Sequence, residues 1–456
     1  MPWCKTHCMA IALDGAFPDV PVSRLAGYQR LARSRRPGPH SGSSVAQEVT
    51  YRGAGAEAAQ RARAGVSDQP AAVVRPSWPD TPEFDARLVK RTFSRVMADE
   101  QNAMEYFYGL LFAQSPEVRS LFPLAMSDLR YRVFAALIRL IWSSDNREAY
   151  TAQLVQLGRD HRRFGVREKH HKAFFAALAA TVEQFSGPEW TEHARSAWQG
   201  ALDTASVVIA AAAADDARTQ PAWWVGEVIR HERRSQSLAV LTIRPDQPLP
   251  YRPGQYVGVQ VPRWPRVWRN FSIANAPRPS NLIDLHVRAV CGGMVSNALV
   301  HASAGDTLLL GPARGEMTLP PDCGRELICV AGGTGLAPLK ALIEGVASGG
   351  EQWPRTITLF LGARREQDLY DMTDLRVLQS GYPSLAIIPV ISQQRGYGGI
   401  TGLLHEIVIK HARLSDSEVF VSGPDAMVRQ TDLALAGLVP CERVHFDPLA
   451  KPRVSG

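Results

Sequence analysis

The chain has 456 residues, enough for two to four domains, and its 45% hydrophobic and 21% charged residues suit a globular protein rather than a disordered or fibrous one. No run of 18 or more uncharged apolar residues offers a membrane span, and the six cysteines form no CxxC pair and no regular framework. Together with the absence of a secretory pattern in the first 20 residues, this argues for reduced thiols and a cytoplasmic location.

The net charge of +7 is concentrated at one end, because residues 1–75 hold ten Lys/Arg against five Asp/Glu and so carry +5 of it. Residues 1–78 are rich in Ala, Gly, Arg, Ser and Pro and lack apolar periodicity, so they read as a disordered basic extension. A solvated tail or translation begun upstream of the true start explains it most simply, with an arm for a polyanion as the alternative. The remaining chain is near neutrality and gives no reason to expect a nucleic acid partner.

Residues 80–217 read as helical throughout. In "EFDARLVKRTFSRVMADEQNAMEYFYGLLF", Phe84, Leu88, Phe93, Val96, Met104, Phe107 and Leu111 recur at helical steps, with Thr81 as the expected cap. Helices are also expected in "RYRVFAALIRLIW", "AYTAQLVQLGRDH", "HKAFFAALAATVEQF" and "WTEHARSAWQGALDTASVVIAAAAA", with breaks at Ser115-Pro116 and at Ser186-Gly187-Pro188. Residues 221–323 switch to alternating β-branched segments, "WVGEVIRHE", "SLAVLTIRP", "QYVGVQVP", "LIDLHVRAV" and "DTLLLGP", which predict a small antiparallel barrel. Residues 325–452 alternate apolar strands, "LICVAGG", "TITLFLGA", "LAIIPVIS" and "EVFVSGP", with helical stretches, the rhythm of a parallel α/β sheet.

Chemistry-bearing motifs fall in each part. In "ICVAGGTGLAPLKALIE", Gly332, Gly333, Thr334 and Gly335 sit between a buried strand and a helix, where backbone N–H groups and a helix N-terminus suit a pyrophosphate. Gly423 and Pro424 close a later strand at the same expected edge. In the barrel, "RNFS" places Arg269, Phe271 and Ser272 to pair with a phosphate, pack on a flat ring and bond its edge. "CGGMVSN" adds Gly292, Gly293, Val295 and Ser296 for a second phosphate.

These motifs make residues 221–450 resemble the ferredoxin-NADP reductase superfamily, which implies FAD on the barrel and NADH or NADPH on the glycine loop. No plant-type C-x4-C-x2-C cluster set accompanies them, so an iron-sulfur variant is excluded. The helical part resembles a globin, and a globin followed by this reductase is the arrangement of the flavohaemoglobins. That resemblance implies an all-α globin domain with haem b, then an antiparallel β-barrel FAD domain and an α/β NAD(P) domain. The implied activity is NAD(P)H-dependent conversion of nitric oxide to nitrate with O2, in a monomer. The alternatives are a haem and flavin NAD(P)H oxidase or ferric reductase, and a globin gas sensor.

By the same resemblance, His161 in "RDHRRFGV" is the iron ligand, Tyr108 the distal hydroxyl and Phe122 the ring against the porphyrin. His171 stands where the family has a tyrosine behind the ligand, and Asp215 is the expected carboxylate partner there. Four further positions depart from the pattern. Leu129, followed by Val133, stands at the distal glutamine position, which leaves Tyr108 as the sole strong distal donor. Phe271 replaces a tyrosine, Ser422 a cysteine, and Leu449 the flavin-covering aromatic. Arg364, Arg365 and Arg395 follow strands where a 2′-phosphate is met, but Glu366 is adjacent and NADH is the favoured reading.

Overall fold

The computed structural model describes residues 83–122, 126–320, 324–349 and 356–447. The expected extension, the Thr81 cap and Leu449 lie outside them.

The first unit is helical: α1 (Ala86–Ala98), α2 (Glu100–Gln114), a 3-10 turn (Pro116–Leu121), α3 (Ser127–Trp142), α4 (Arg147–Arg162), α5 (Glu168–Ser186) and α6 (Glu192–Thr219). The stripe anticipated as one run is broken at Asp99, whose φ of −133° and ψ of 55° separate α1 from α2. Asp85 caps α1 by accepting from the N–H groups of Arg87 and Leu88, Asn146 caps α4 and Thr191 caps α6. Gly187, at φ +50°, ends α5. The core joins Phe93, Phe107, Tyr108, Leu111, Leu121, Leu129, Val133 and Trp198. α4 and α6 cross without a side chain between them at Gly158, where a Cβ would lie 2.5 Å from the Ile209 carbonyl oxygen.

Next comes an antiparallel six-stranded sheet of β1 (Trp224–Ser235), β2 (Leu238–Pro245), β3 (Tyr256–Gln260), β4 (Arg269–Ser272), β5 (Ile283–Arg288) and β6 (Thr307–Leu310), with α7 (Met294–Val300) between the last two. The strands run in the order β4-β3-β6-β1-β2-β5. The two outer strands meet where Ile273 bridges Leu285 and the Ala274 N–H donates to the Asp284 carbonyl at 2.7 Å, so the sheet is a nearly closed barrel. β4 was visible in the sequence only as a motif, since four residues are too short to show a period.

The last unit holds β7 (Glu326–Gly332), α8 (Leu336–Ser348), β8 (Ile357–Ala363), α9 (Met372–Gly381), β9 (Leu385–Ile391), β10 (Ile400–Thr401), α10 (Leu404–His411), β11 (Ser417–Ser422), α11 (Asp425–Leu435) and β12 (Val444–His445). Its sheet is parallel, in the order β10-β9-β8-β7-β11-β12. The chain winds outward from β7 to β10 and then returns to β11, so the switch in direction falls between the carboxyl ends of β7 and β11. Apolar layers on both faces explain the unbroken hydrophobic runs of β7, β8 and β11.

Polar joints connect the units. Between the helical unit and the barrel, Arg314 meets Asp160 at 3.4 Å; nearby, at the end of the helical unit, Arg162 ties α4 to α6 by pairing with Asp216 and donating to the Gln220 carbonyl at 2.9 Å. Between barrel and α/β unit, His286 Nδ1 lies 2.8 Å from the Tyr370 hydroxyl. Beside it Lys340 pairs with buried Asp371 at 2.8 Å, and Arg234 reaches Asp374 at 3.1 Å.

Candidate active site

α4 delivers His161 on its last turn, and the chain then folds back: the Phe164 and Val166 N–H groups both donate to the His161 carbonyl, and Gly165 takes φ +60°. This turn brings the start of α5 against the end of α4. His161 Nδ1 and His171 Nε2 lie 2.9 Å apart, with the rings stacked at 18° and centroids 5.1 Å apart. Burial, then the neighbouring His171 and Arg163, hold His161 well below the usual histidine range. Burial, then His170, lowers His171 to about 4 despite the opposing pull of Glu168. Both rings are therefore neutral at pH 7. For Nε2 of His161 to offer a lone pair to iron, its Nδ1 must carry the proton and donate it to His171, an arrangement this contact accommodates.

Two neighbouring residues stand apart from this pair. His170 Nδ1 accepts from the Arg167 N–H at 2.9 Å and so closes the first turn of α5. Asp215 is not drawn to the histidine pair, which corrects the expected proximal carboxylate. Its oxygen accepts from Arg218 at 2.6 Å on the outer face of α6, whereas Asp216 turns inward to Arg162 and is 6% exposed.

A run of aromatic rings leads from His171 through Phe175, Phe174 and Phe107 to Tyr108, at centroid spacings of 6.2, 6.1, 4.9 and 4.9 Å. Tyr108 is 1% exposed, and its hydroxyl has no hydrogen-bond partner among the described residues. Burial pushes its pKa far above the ordinary tyrosine value, so the proton stays on. Phe122 packs edge-on to Tyr108 at 5.9 Å and to Phe112 at 5.4 Å. Leu129 and Val133 are buried in the same core and supply no donor.

Arg130 was missed in the sequence. Its guanidinium carbon stands 5.5 Å from the centre of the Tyr108 ring, and its buried Nε has no partner among the described residues. Tyr108 is therefore not the sole polar group there. No local signal marked Arg130, since a charged residue in a helix is ordinarily solvated and only the packing of α3 on α2 turns it inward. Two buried polar groups left without partners inside an apolar core, with a neutral histidine held by its far nitrogen, fit a haem with a polar ligand above it.

On the barrel, Arg269, Phe271 and Ser272 fall on β4, and Arg269 Nη1 donates to the Trp268 carbonyl at 2.7 Å. Gly292 takes φ +72°, while Gly293 sits where a Cβ would strike Ser296 Oγ and Val290 Cγ2 at 2.5 Å. Ser296 bonds within this turn, and Val295 is buried beneath it. In the α/β unit, a Cβ on Gly335 would lie 2.2 Å from the Ser422 carbonyl oxygen, and one on Gly332 would lie 2.5 Å from Met427 Sδ and 3.1 Å from Pro424 Cδ. The loop of Gly332, Gly333, Thr334 and Gly335 is thus brought against Gly423 and Pro424 at the switch between β7 and β11. Arg288, from the barrel, comes within 3.9 Å of where a Cβ on Gly333 would lie, a contact between domains that no motif advertises.

Three family models match in chain order: Globin at residues 105–209, Oxidoreductase FAD-binding domain at 226–318 and Oxidoreductase NAD-binding domain at 329–432. Among curated proteins, the xylene/toluene monooxygenase electron transfer component of Pseudomonas putida is 30% identical over 224 residues, which span 48% of this chain and 63% of that protein. The ferredoxin–NAD(P)+ reductase component of the naphthalene 1,2-dioxygenase system of Pseudomonas putida is 31% identical over 229 residues, spanning 49% of this chain and 68% of that one. Among solved structures, a flavohaemoglobin from Malassezia yamatoensis with bound FAD and haem superposes with a TM-score of 0.62 at 14% identity, covering 78% of this chain and 97% of that one, a likeness of fold. The chain belongs to the FAD- and NAD-binding oxidoreductases, joined behind a globin in the flavohaemoglobin arrangement.

Proposed function

We propose that this protein is an NAD(P)H-dependent nitric oxide dioxygenase. The observation that carries the reading is a globin core holding a buried Tyr108 hydroxyl without a partner among the described residues, together with a neutral His161 whose Nδ1 is engaged by His171. When bound, FAD and haem supply the redox chemistry, passing electrons from NAD(P)H to the iron at which O2 and nitric oxide become nitrate.

The chain's own residues bind, orient and hold protons. His161 would present Nε2 to the iron while His171, at its Nδ1, holds the ring in place. Tyr108 keeps its proton, and so donates to an oxygen that gathers negative charge, with the Arg130 cation favouring charge at the same end of the pocket. Phe112 and Phe122 keep water from that end. Arg269 would hold the flavin pyrophosphate, and Phe271 and Ser272 would orient the ring. The loop of Gly332 to Gly335, closed by Gly423 and Pro424, takes the nicotinamide nucleotide.

An electrode following nitric oxide decay in aerobic buffer, with NADH and then NADPH as donor, tests this. Consumption well above the rate explained by superoxide release supports the dioxygenase. A second reading, a haem and flavin oxidase or reductase, is favoured by Leu129 in place of a distal donor. It replaces the first if NAD(P)H is oxidised at an undiminished rate while nitric oxide persists.

A further inference from the structure

Two residues after His161, at the C-cap of α4, the chain carries Arg163, a cation only 4% exposed. Two steps along a helix rotate a side chain by about 200°, so Arg163 points away from the side that His161 serves. It points into the barrel. Its guanidinium lies 4.9 Å from the ring centre of Phe164 and 5.7 Å from that of Trp268, a fully buried indole immediately before Arg269. The notch it enters is lined by two glycines. A Cβ on Gly258 of β3 would lie 2.9 Å from Arg163 Nη1, and one on Gly311, just after β6, would lie 3.6 Å from it.

The charge is not spent on an ion pair. The nearby carboxylate of Asp160 is taken by Arg314 at 3.4 Å and by Gln156 at 2.9 Å, and Arg163 has no ion pair among the described residues. A buried cation without a carboxylate is costly, and a planar guanidinium stacked on aromatic rings lowers that cost as an ammonium would not. The sequence therefore contains a globin residue, an indole and two bare backbone positions in the barrel that make sense only together.

We propose that Arg163 is a positioning residue for electron delivery: seated between Phe164 and Trp268 over Gly258, it sets the register of the globin against the flavin-binding barrel, and its charge favours the reduced state on the His161 side. This rests on the relay from flavin to haem described above, but not on nitric oxide being the substrate. Trp268 leads directly into Arg269 and Arg163 follows His161 by two residues, so one contact ties the backbone of both cofactor sites. Electron transfer weakens as donor and acceptor move apart, so a shift of the globin against the barrel at this joint is expected to slow haem reduction.

The test uses the full-length holoprotein and anaerobic stopped-flow, following flavin reduction by NADH and haem reduction separately, beside spectroelectrochemical titration of the haem. Arg163→Met, close in volume but uncharged, is expected to leave flavin reduction and the KM for NADH unchanged, to slow haem reduction severalfold and to lower the haem potential. Arg163→Lys is expected to restore the potential and only part of the rate, because it keeps the charge without the stacking plane. Gly258→Ala, which crowds the guanidinium from the barrel side, is expected to slow haem reduction while the potential moves less. Wild-type haem reduction and potential in both Arg163→Met and Gly258→Ala, with haem and FAD content intact, would overturn the proposal. Loss of nitric oxide consumption alone bears on the dioxygenase reading and leaves this one standing.

Discussion

His171 Nε2 sits 2.9 Å from His161 Nδ1, so the side chain that orients the candidate iron ligand is itself a titratable imidazole rather than a phenol or a carboxylate. Replacing His161 with Ala is expected to abolish haem binding, measured as the pyridine haemochrome, while His170→Ala retains it. His171→Phe should also retain haem. With no acceptor for its Nδ1 proton, His161 becomes a poorer electron donor, and the haem potential should rise. Haem loss from His171→Phe equal to that from His161→Ala would move the ligand.

The pair also fixes a pH dependence. Burial holds His171 at about 4, below its ordinary 6.5, so the unfolded chain binds more protons than the folded one between those values. The contribution of His171 to the stability of the globin is therefore fully present above pH 6.5 and is lost as pH drops toward 4. His286, held at about 3 by burial and by Lys340, acts in the same sense in the barrel. Thermal unfolding followed at the haem band and at the flavin band distinguishes them. His171→Phe should flatten the acid limb of the first and leave the second.

Above the iron site, loss of one donor aimed at developing charge costs about 10² to 10³ in rate. Tyr108→Phe should cut nitric oxide consumption by at least about tenfold while NADH still reduces the flavin at its normal rate. Arg130→Met should give a smaller loss, because it removes charge near the hydroxyl and not the donor itself. Unaltered turnover in Tyr108→Phe would refute the distal assignment.

The nucleotide loop has its own signature variant. A methyl on Gly335 would sit 2.2 Å from the Ser422 carbonyl, a backbone atom with nowhere to move. Gly335→Ala is expected to abolish NAD(P)H-driven flavin reduction, read by stopped-flow, with haem content unchanged because the globin core is separate. Normal flavin reduction would place the nucleotide elsewhere.

The order of helical, barrel and α/β units was legible because their hydrophobic periods differ over long stretches. The glycine loop was legible because strand, glycines and helix are contiguous in sequence. What escaped depends on rotation and long-range contact. Asp215 and Asp216 differ by one residue, about 100° around a helix, and the sequence "AAAAAD" fixes no such phase. Arg130 and Arg163 read as solvated charges until α3 meets α2 and α4 meets the barrel. Short strands such as β10 and β12 carry too few residues for any pattern.

Gly158 has a mechanical consequence. α6 is a single rod of 28 residues, about 42 Å long, that begins in the globin core and ends four residues before β1. A side chain at Gly158 would push on this rod at Ile209, and a tilt of about 5° there would swing its far end, about 15 Å away, through more than about 1 Å. The helix thus acts as a lever, and a single methyl at the fulcrum should change the rate at which the two halves exchange electrons without touching a residue in either pocket.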